Sequence, residues 1–214
     1  MTRILLTVLI ILSISITTNA QFIKGSGLIG GTLSYSSRKV NYPNTAVEYN
    51  STSGNYNISL GKAIRENAVF GININYLPNT STQQSGNALY KVNINGYGVG
   101  IFYRLYKNLG KEFYLFGEAG GGYIGSSFTS RDSLGNKVST SNTNGGQIYL
   151  YPGIAYKISK KFFIELSIPQ LFSVAYSSEK SSAPVTSTID SFKIGATLDS
   201  NPLTSLGVGF RLVL

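Results

Sequence analysis

Cysteine, histidine and tryptophan are absent from the 214 residues. The lack of cysteine excludes a disulfide framework, thiolate metal sites, a cysteine nucleophile and a lipid-modified amino-terminal cysteine. The lack of histidine removes the usual general base and the commonest metal ligand. Charge is also scarce: charged residues make up 13% of the chain, about half the roughly 25% usual in soluble domains. What charge there is leans basic, 18 Lys+Arg against 9 Asp+Glu for a net +9. The basic residues do not gather into one block, so a nucleic-acid partner is not expected. Apolar residues at 42% and 24 glycines exclude disorder, which needs low hydrophobicity and high charge.

No apolar run reaches the roughly 20 residues of a spanning helix. The longest, Ile4 to Ile16, follows Arg3 and ends in Thr18-Asn19-Ala20. That layout predicts a secretory signal peptide over residues 1–20, cut before Gln21. Residues 21–214 are then the exported domain. Without disulfides or a later helical span, that domain needs a closed fold of another kind.

From Gln21 onward the recurring pattern is alternation, the period of a strand with two unlike faces. Phe70, Ile72, Ile74 and Tyr76 oppose Gly71, Asn73 and Asn75; Val208, Phe210 and Leu212 oppose Gly207, Gly209 and Arg211. Turn residues divide the chain into eight runs near 27–38, 47–64, 68–78, 88–106, 112–128, 145–157, 161–176 and 188–214. Short connections alternate with longer polar ones at 39–46, 79–87, 129–144 and 177–187. Two places break the scheme. Alternation changes phase near Asn95-Gly96, which predicts a β-bulge, and Asp199 to Leu203 interrupts the last run.

Alternation alone does not say which face looks inward. The second face is Gly, Ser and Asn with single charges, lacking the dense Lys/Glu mix of a water-facing surface. Small residues suit the filled interior of a narrow eight-stranded barrel, and the runs reach the roughly 9–11 residues that cross a bilayer as tilted strands. Tyr76, Tyr103, Tyr106, Phe113, Tyr114, Tyr156, Phe162, Phe172 and Tyr176 lie near strand ends, where interfacial girdles are expected. The fold expected is all-β, an eight-stranded antiparallel up-and-down transmembrane β-barrel. An exported soluble barrel of lipocalin type, with the same strands turned inside out, is the alternative.

The stretch Gly100-Ile-Phe-Tyr-Arg-Leu-Tyr-Lys-Asn-Leu-Gly-Lys-Glu-Phe-Tyr-Leu-Phe-Gly-Glu-Ala-Gly-Gly-Gly-Tyr123 resembles a central hairpin of the outer-membrane β-barrel proteins of Gram-negative bacteria, small barrels akin to the OmpA transmembrane domain and OmpX. The ending Leu206-Gly-Val-Gly-Phe-Arg-Leu-Val-Leu214 is similar to their last strand. That family usually ends in an aromatic, whereas here the final residue is Leu214 and the nearest aromatic is Phe210. The resemblance implies residence in the cell outer membrane, lipid as solvent, and the barrel-assembly machinery as partner during biogenesis.

Arg104, Glu118, Glu165 and Arg211 share the small, polar parity of their strands. They are expected to form a polar network in the lumen, since an unpaired charge there is costly. Counting from the turns puts the arginines nearer the short-turn end, so a bridging water is expected. Paired carboxylates for hydrolysis would need a cleft beside them, which a filled barrel lacks. The glycine run Gly120 to Gly122 is followed by a strand and not the helix that a phosphate cradle requires. No catalytic, cofactor or metal residues are expected. Lys62, Arg65, Lys107, Lys111, Lys157, Lys160 and Lys161 lie beside the short turns, where anionic headgroups could meet them. The expected role is structural or adhesive, for a monomer presenting its long loops to an extracellular partner. The alternative in another class is a transport or assembly accessory guiding a small solute or exported protein.

Overall fold

The computed structural model describes residues 22–42, 47–85, 88–168, 171–182, 186–196 and 207–214. The segment 1–20, read as a signal peptide, lies outside the described residues. Ten strands follow one another: β1 Gly27–Tyr42, β2 Val47–Arg65, β3 Ala68–Ser85, β4 Ala88–Gly110, β5 Phe113–Arg131, β6 Lys137–Lys157, β7 Phe162–Ser167, β8 Phe172–Ser181, β9 Ser187–Ala196 and β10 Gly207–Val213. Every pairing is antiparallel. Eight strands close a hydrogen-bonded ring in the order β5, β4, β3, β2, β1, β10, β7, β6 and back to β5, while β8 and β9 continue from β6.

The strand count differs from the eight runs because the last two runs are each divided. The run at 161–176 becomes β7 and β8, both paired with β6. Five residue steps from Ser167 to Phe172 lie opposite three on β6, from Gly153 to Leu150. Two residues are therefore extra. The run at 188–214 becomes β9 and β10: eleven steps from Ala196 to Gly207 lie opposite five, from Phe172 to Ser167, leaving six extra. Both excesses are even, so the alternation of faces survives each break.

The expected long loops are mostly strand. β3 runs to Ser85 and β4 resumes at Ala88; β5 runs to Arg131 and β6 starts at Lys137. Thr, Ser and Asn rungs carry the ladders there, as Thr80 opposite Asn93 and Thr129 opposite Thr140. Between β5 and β6 only a tight turn remains, folded around the Asp132 carboxylate. That carboxylate accepts from the Leu134 amide at 2.9 Å and the Asn136 amide at 2.8 Å. Desolvation pushes the carboxyl up, but these hydrogen bonds hold it below its ordinary range. At the opposite end, Lys111 and Glu112 both have positive φ, 48° and 67°, the geometry of a two-residue hairpin turn matched to strand twist.

The predicted bulge at Asn95-Gly96 does not occur. β3 and β4 pair without a shift from Ala68 opposite Leu105 to Ser85 opposite Ala88. Instead the environment of the two faces exchanges. Below Gly96 the even residues of β4, including Gly98, Phe102 and Arg104, face inward and are small or buried, while Tyr97, Val99 and Ile101 face outward and are exposed. Above it Val92 and Ile94 keep the inward parity, with Ile94 opposite Phe128, and the outward positions are Lys91, Asn93 and Asn95.

The same change occurs around the molecule. Outward rows run Leu212, Ile29, Leu60, Ile72, Ile101 on adjacent strands. Above them Tyr56, Tyr76 and Tyr97 stand directly opposite one another, and Tyr123 and Tyr176 continue the line on β5 and β8. Above the tyrosines the outward positions are Thr52, Thr80, Asn93, Thr129, Asn142 and Lys180. The belt is well exposed: Ile58 is 65% exposed and Ile74 61%. At its lower edge Phe70 stands opposite Tyr103, and the Phe113 and Tyr156 rings lie 4.8 Å apart. Tyr106 and Tyr114, expected in that girdle, are buried inside instead, because they share the inward parity of Arg104 and Phe116.

Inside, the lower end of the ring is closed by an apolar cluster of Phe22, Leu28, Val69, Phe102, Tyr114, Phe116 and Phe163 with Tyr106. Phe22 enters from outside the sheet. Its ring stacks on Tyr106 at 4.1 Å and on Phe163 at 5.2 Å, and its carbonyl accepts from the Asn67 amide. Large rings lie flat on glycines of neighbouring strands. A Cβ on Gly71 would sit 2.7 Å from the Phe102 ring and one on Gly153 2.2 Å from Phe116. Such alternation of large and small fills a narrow interior.

Candidate functional site

Directly above the apolar floor, Arg104, Glu118, Glu165 and Arg211 meet at the centre of the ring, each no more than 3% exposed. β4 and β5 place Arg104 opposite Glu118 in register. β7 and β10 place Glu165 two residues from the Arg211 rung. The contacts are direct, so the water expected between them is not needed. The stagger inferred by counting from the turns holds for Arg211, two residues nearer the short turn than Glu165, and fails for Arg104 and Glu118, which lie on one rung of their shared hairpin.

Arg104 Nε donates to Glu118 Oε2 at 2.7 Å, and Arg104 Nη1 donates to both Glu165 oxygens at 2.7 Å. Arg211 donates to the same carboxylate from Nε at 2.9 Å and from Nη2 at 3.2 Å, and its Nη1 reaches Ser59 Oγ at 3.3 Å. Two arginines and two glutamates sum to zero. Fork-shaped guanidinium groups match carboxylates better than lysine would. Tyr106 donates to Glu165 Oε1 at 3.1 Å, Tyr151 to Glu118 Oε1 at 2.8 Å and Tyr149 to the same oxygen at 3.3 Å. The Arg104 guanidinium also lies over the Phe116 ring, 4.2 Å from its centroid, a cation–π contact.

Burial of four charges is tolerable only with every lone pair and proton matched, and here strands all round the ring supply the partners. Chemically this is a crosslink. Both carboxylates accept from guanidinium groups. Among the described residues no group of three acidic side chains converges to hold a metal.

Sequence parity finds the four charged residues but misses their satellites. Tyr106, Tyr149, Tyr151, Ser59 and Asn73 complete the shell. Tyr149 and Tyr151 could be recognised because they share the odd parity of Gly153 and Ala155, which face inward.

Above the network lies a cavity of about 120 Å³, lined by Asn55, Asn57, Asn75, Gln147, Tyr149 and Tyr151 among others, with Glu118 in its floor. It reaches the seam at Leu33 and Gly207 where β1 parts from β10. Its walls are linked by side-chain amides. Asn57 Nδ2 donates to Asn75 Oδ1 at 2.6 Å, and Asn75 Nδ2 lies 3.5 Å from Asn73 Oδ1. Asn73 Nδ2 donates to Tyr149 Oη at 2.7 Å, and the Tyr149 hydroxyl donates in turn to Glu118.

No family model and no curated protein matches the chain. Among solved structures it is similar to a major outer membrane protein from Thermus thermophilus, with 9% identity, a TM-score of 0.48, and coverage of 89% of this chain and 99% of that one.

Proposed function

We propose that the chain is an integral outer-membrane protein whose eight-strand ring is a transmembrane β-barrel, with a structural or surface-presenting role and no catalysis. The observation that supports this best is the outward face. It is apolar over a belt all round the ring, edged by tyrosines, and polar beyond them. From Tyr97 to Leu105 is eight residue steps, roughly 27 Å along the strand at about 3.4 Å per step. A tilt of about 40° reduces that to roughly 20 Å, close to the apolar band of such barrels. A water-soluble monomer rarely exposes so wide a patch, and the charged interior is the reverse of a soluble ligand-binding barrel.

Lipid surrounds the belt, the assembly machinery inserts the chain, and the short turns with Lys107, Lys111, Lys160 and Lys161 face the periplasm. The polar upper strands then stand clear of the membrane as a rigid rim. That rim, which takes in the described parts of 39–46, 79–87, 129–144 and 177–187, is the surface offered to an extracellular partner. The aromatic floor and ionic crosslink block the pore, which favours presentation over transport.

The test is expression of the full chain in a Gram-negative host. The protein is expected to stay in the membrane pellet after alkaline carbonate and to change mobility on gels when boiled. Recovery in the soluble fraction as a monodisperse monomer overturns the reading. Stable single-channel conductance in a planar bilayer overturns the blocked pore and restores the transport alternative.

A further inference from the structure

We propose that the cavity above the ionic crosslink is a binding site for a small, neutral, hydroxyl-rich molecule of about the size of one sugar ring. The proposal goes beyond the membrane role and does not rest on it, since the lining faces inward except at the Leu33 seam. Three observations carry it.

The first is polarity without charge. Glu118 is the one ionic group in the lining, and its oxygens are already taken by Arg104, Tyr149 and Tyr151. An ion entering the cavity would find no free countercharge, whereas a neutral polar molecule loses nothing by that.

The second is the direction of the amide chain. Every donor from Asn57 through Asn75, Asn73 and Tyr149 points toward Glu118. Each amide carries both a donor and an acceptor end, so a chain polarised toward a carboxylate leaves acceptors at its open end. Asn57 Oδ1 is one. Asn55 Oδ1, also in the lining, is buried and has no hydrogen-bond partner among the described residues. A buried acceptor without a partner is uncommon and costly, and a ligand hydroxyl is the group that would satisfy it.

The third is a flat wall. Tyr149 and Tyr151 stack with ring centroids 5.8 Å apart and planes 22° from parallel. Their hydroxyls are anchored on Glu118, which fixes the rings at the cavity edge, in a lining that also holds Leu77 and Ile124. Fixed rings beside convergent amides combine an apolar face with directed hydrogen bonds, the usual composition of a small-molecule pocket.

The probe is glucose, added at millimolar concentration to the full chain in a sugar-free zwitterionic detergent and followed by saturation-transfer NMR. Transfer to the ring protons is expected, with the apparent affinity about tenfold weaker in Asn55→Leu, as for one lost hydrogen bond. Gln147→Ala removes a second wall residue and is expected to act in the same direction; it keeps the test intact if Asn55→Leu does not fold, which gel mobility reports. Ile74→Ala on the outer belt is expected to bind like the parent. Absence of transfer from glucose, or transfer that persists undiminished in both cavity variants, overturns the proposal. Binding by a protein that carbonate releases from membranes would support this site and defeat the membrane reading, so the two fail separately.

Discussion

The lower and upper halves of the molecule use one backbone pattern and rest on different forces. Below the tyrosine line every strand of the ring has two neighbours, and β1 is zipped to β10 from Leu28 through Leu33. The interior there is packed with rings and the ionic crosslink. Above the line β1 continues from Ser34 to Tyr42 paired only with β2, and β9, from Ser187 above the line down to Ala196 below it, is paired only with β8, among the described residues. The interior there is Ser, Thr and Asn with a few aliphatics. In hydrocarbon an open edge is untenable because backbone groups find no water; in water it is tolerated if polar. Closure is complete in the lower ring and relaxed along β9 and the upper part of β1.

The sharpest way to break this contrast is at the crosslink. Glu165→Gln takes from Arg211 its carboxylate partner, leaving one amide oxygen and Ser59 to accept from it, and weakens the hold on Arg104. A loss of about 3–5 kcal/mol is expected for breaking a buried ion pair from one side, read as a lower urea midpoint for the unfolded, fully mobile gel band. A result near zero would mean the lower half does not depend on its core. Phe22→Ala tests the floor. Removing a fully buried ring costs about 3 kcal/mol, and faster exchange of the Asn67 amide, which donates to the Phe22 carbonyl, should accompany it.

Paired glycine substitutions compare the packed interior with the outward face. In Gly71→Ala the new methyl would lie 2.2 Å from the Leu60 carbonyl, so overpacking by about 1–3 kcal/mol is expected. In Gly146→Ala, near the tyrosine line, the nearest atom is 3.6 Å away, and unfolding should be unchanged. Equal effects would erase the distinction. The smallest effect is expected at the upper pair Lys39–Glu48, whose charged atoms are 2.8 Å apart with both side chains well exposed. Their hydrogen bond and charge hold the Glu48 carboxyl below its ordinary range, yet solvent screens such pairs. Lys39→Ala should leave the urea midpoint in place.

The lower half was legible because two environments meet across each strand there, so parity separates Ile72 from Asn73 and Ile101 from Phe102 without ambiguity. The same parity rule brought Arg104, Glu118, Glu165 and Arg211 to one interior. The upper half was not legible, since Ser, Thr and Asn stand on both faces there and carry no facial preference. Strand residues such as Thr80 and Thr140 read as loop for that reason. Val92 and Ile94 read as a slipped register because the apolar side had changed over at Gly96. The cavity was hidden too: an asparagine in a wall and one in a turn look alike until the register puts Asn57 beside Asn75.

The breaks between β7 and β8 and between β9 and β10 hold two and six surplus residues. With even surpluses, the strands on both sides of each joint keep the same parity of residues outward. A one-residue slip in the pairing of β8 or β10 would turn serine to the outward face and phenylalanine against the amide wall. Insertion of one residue within the paired β8 or β10 is expected to abolish folding, while insertions at 168–171 and 197–206 are expected to be tolerated at either parity.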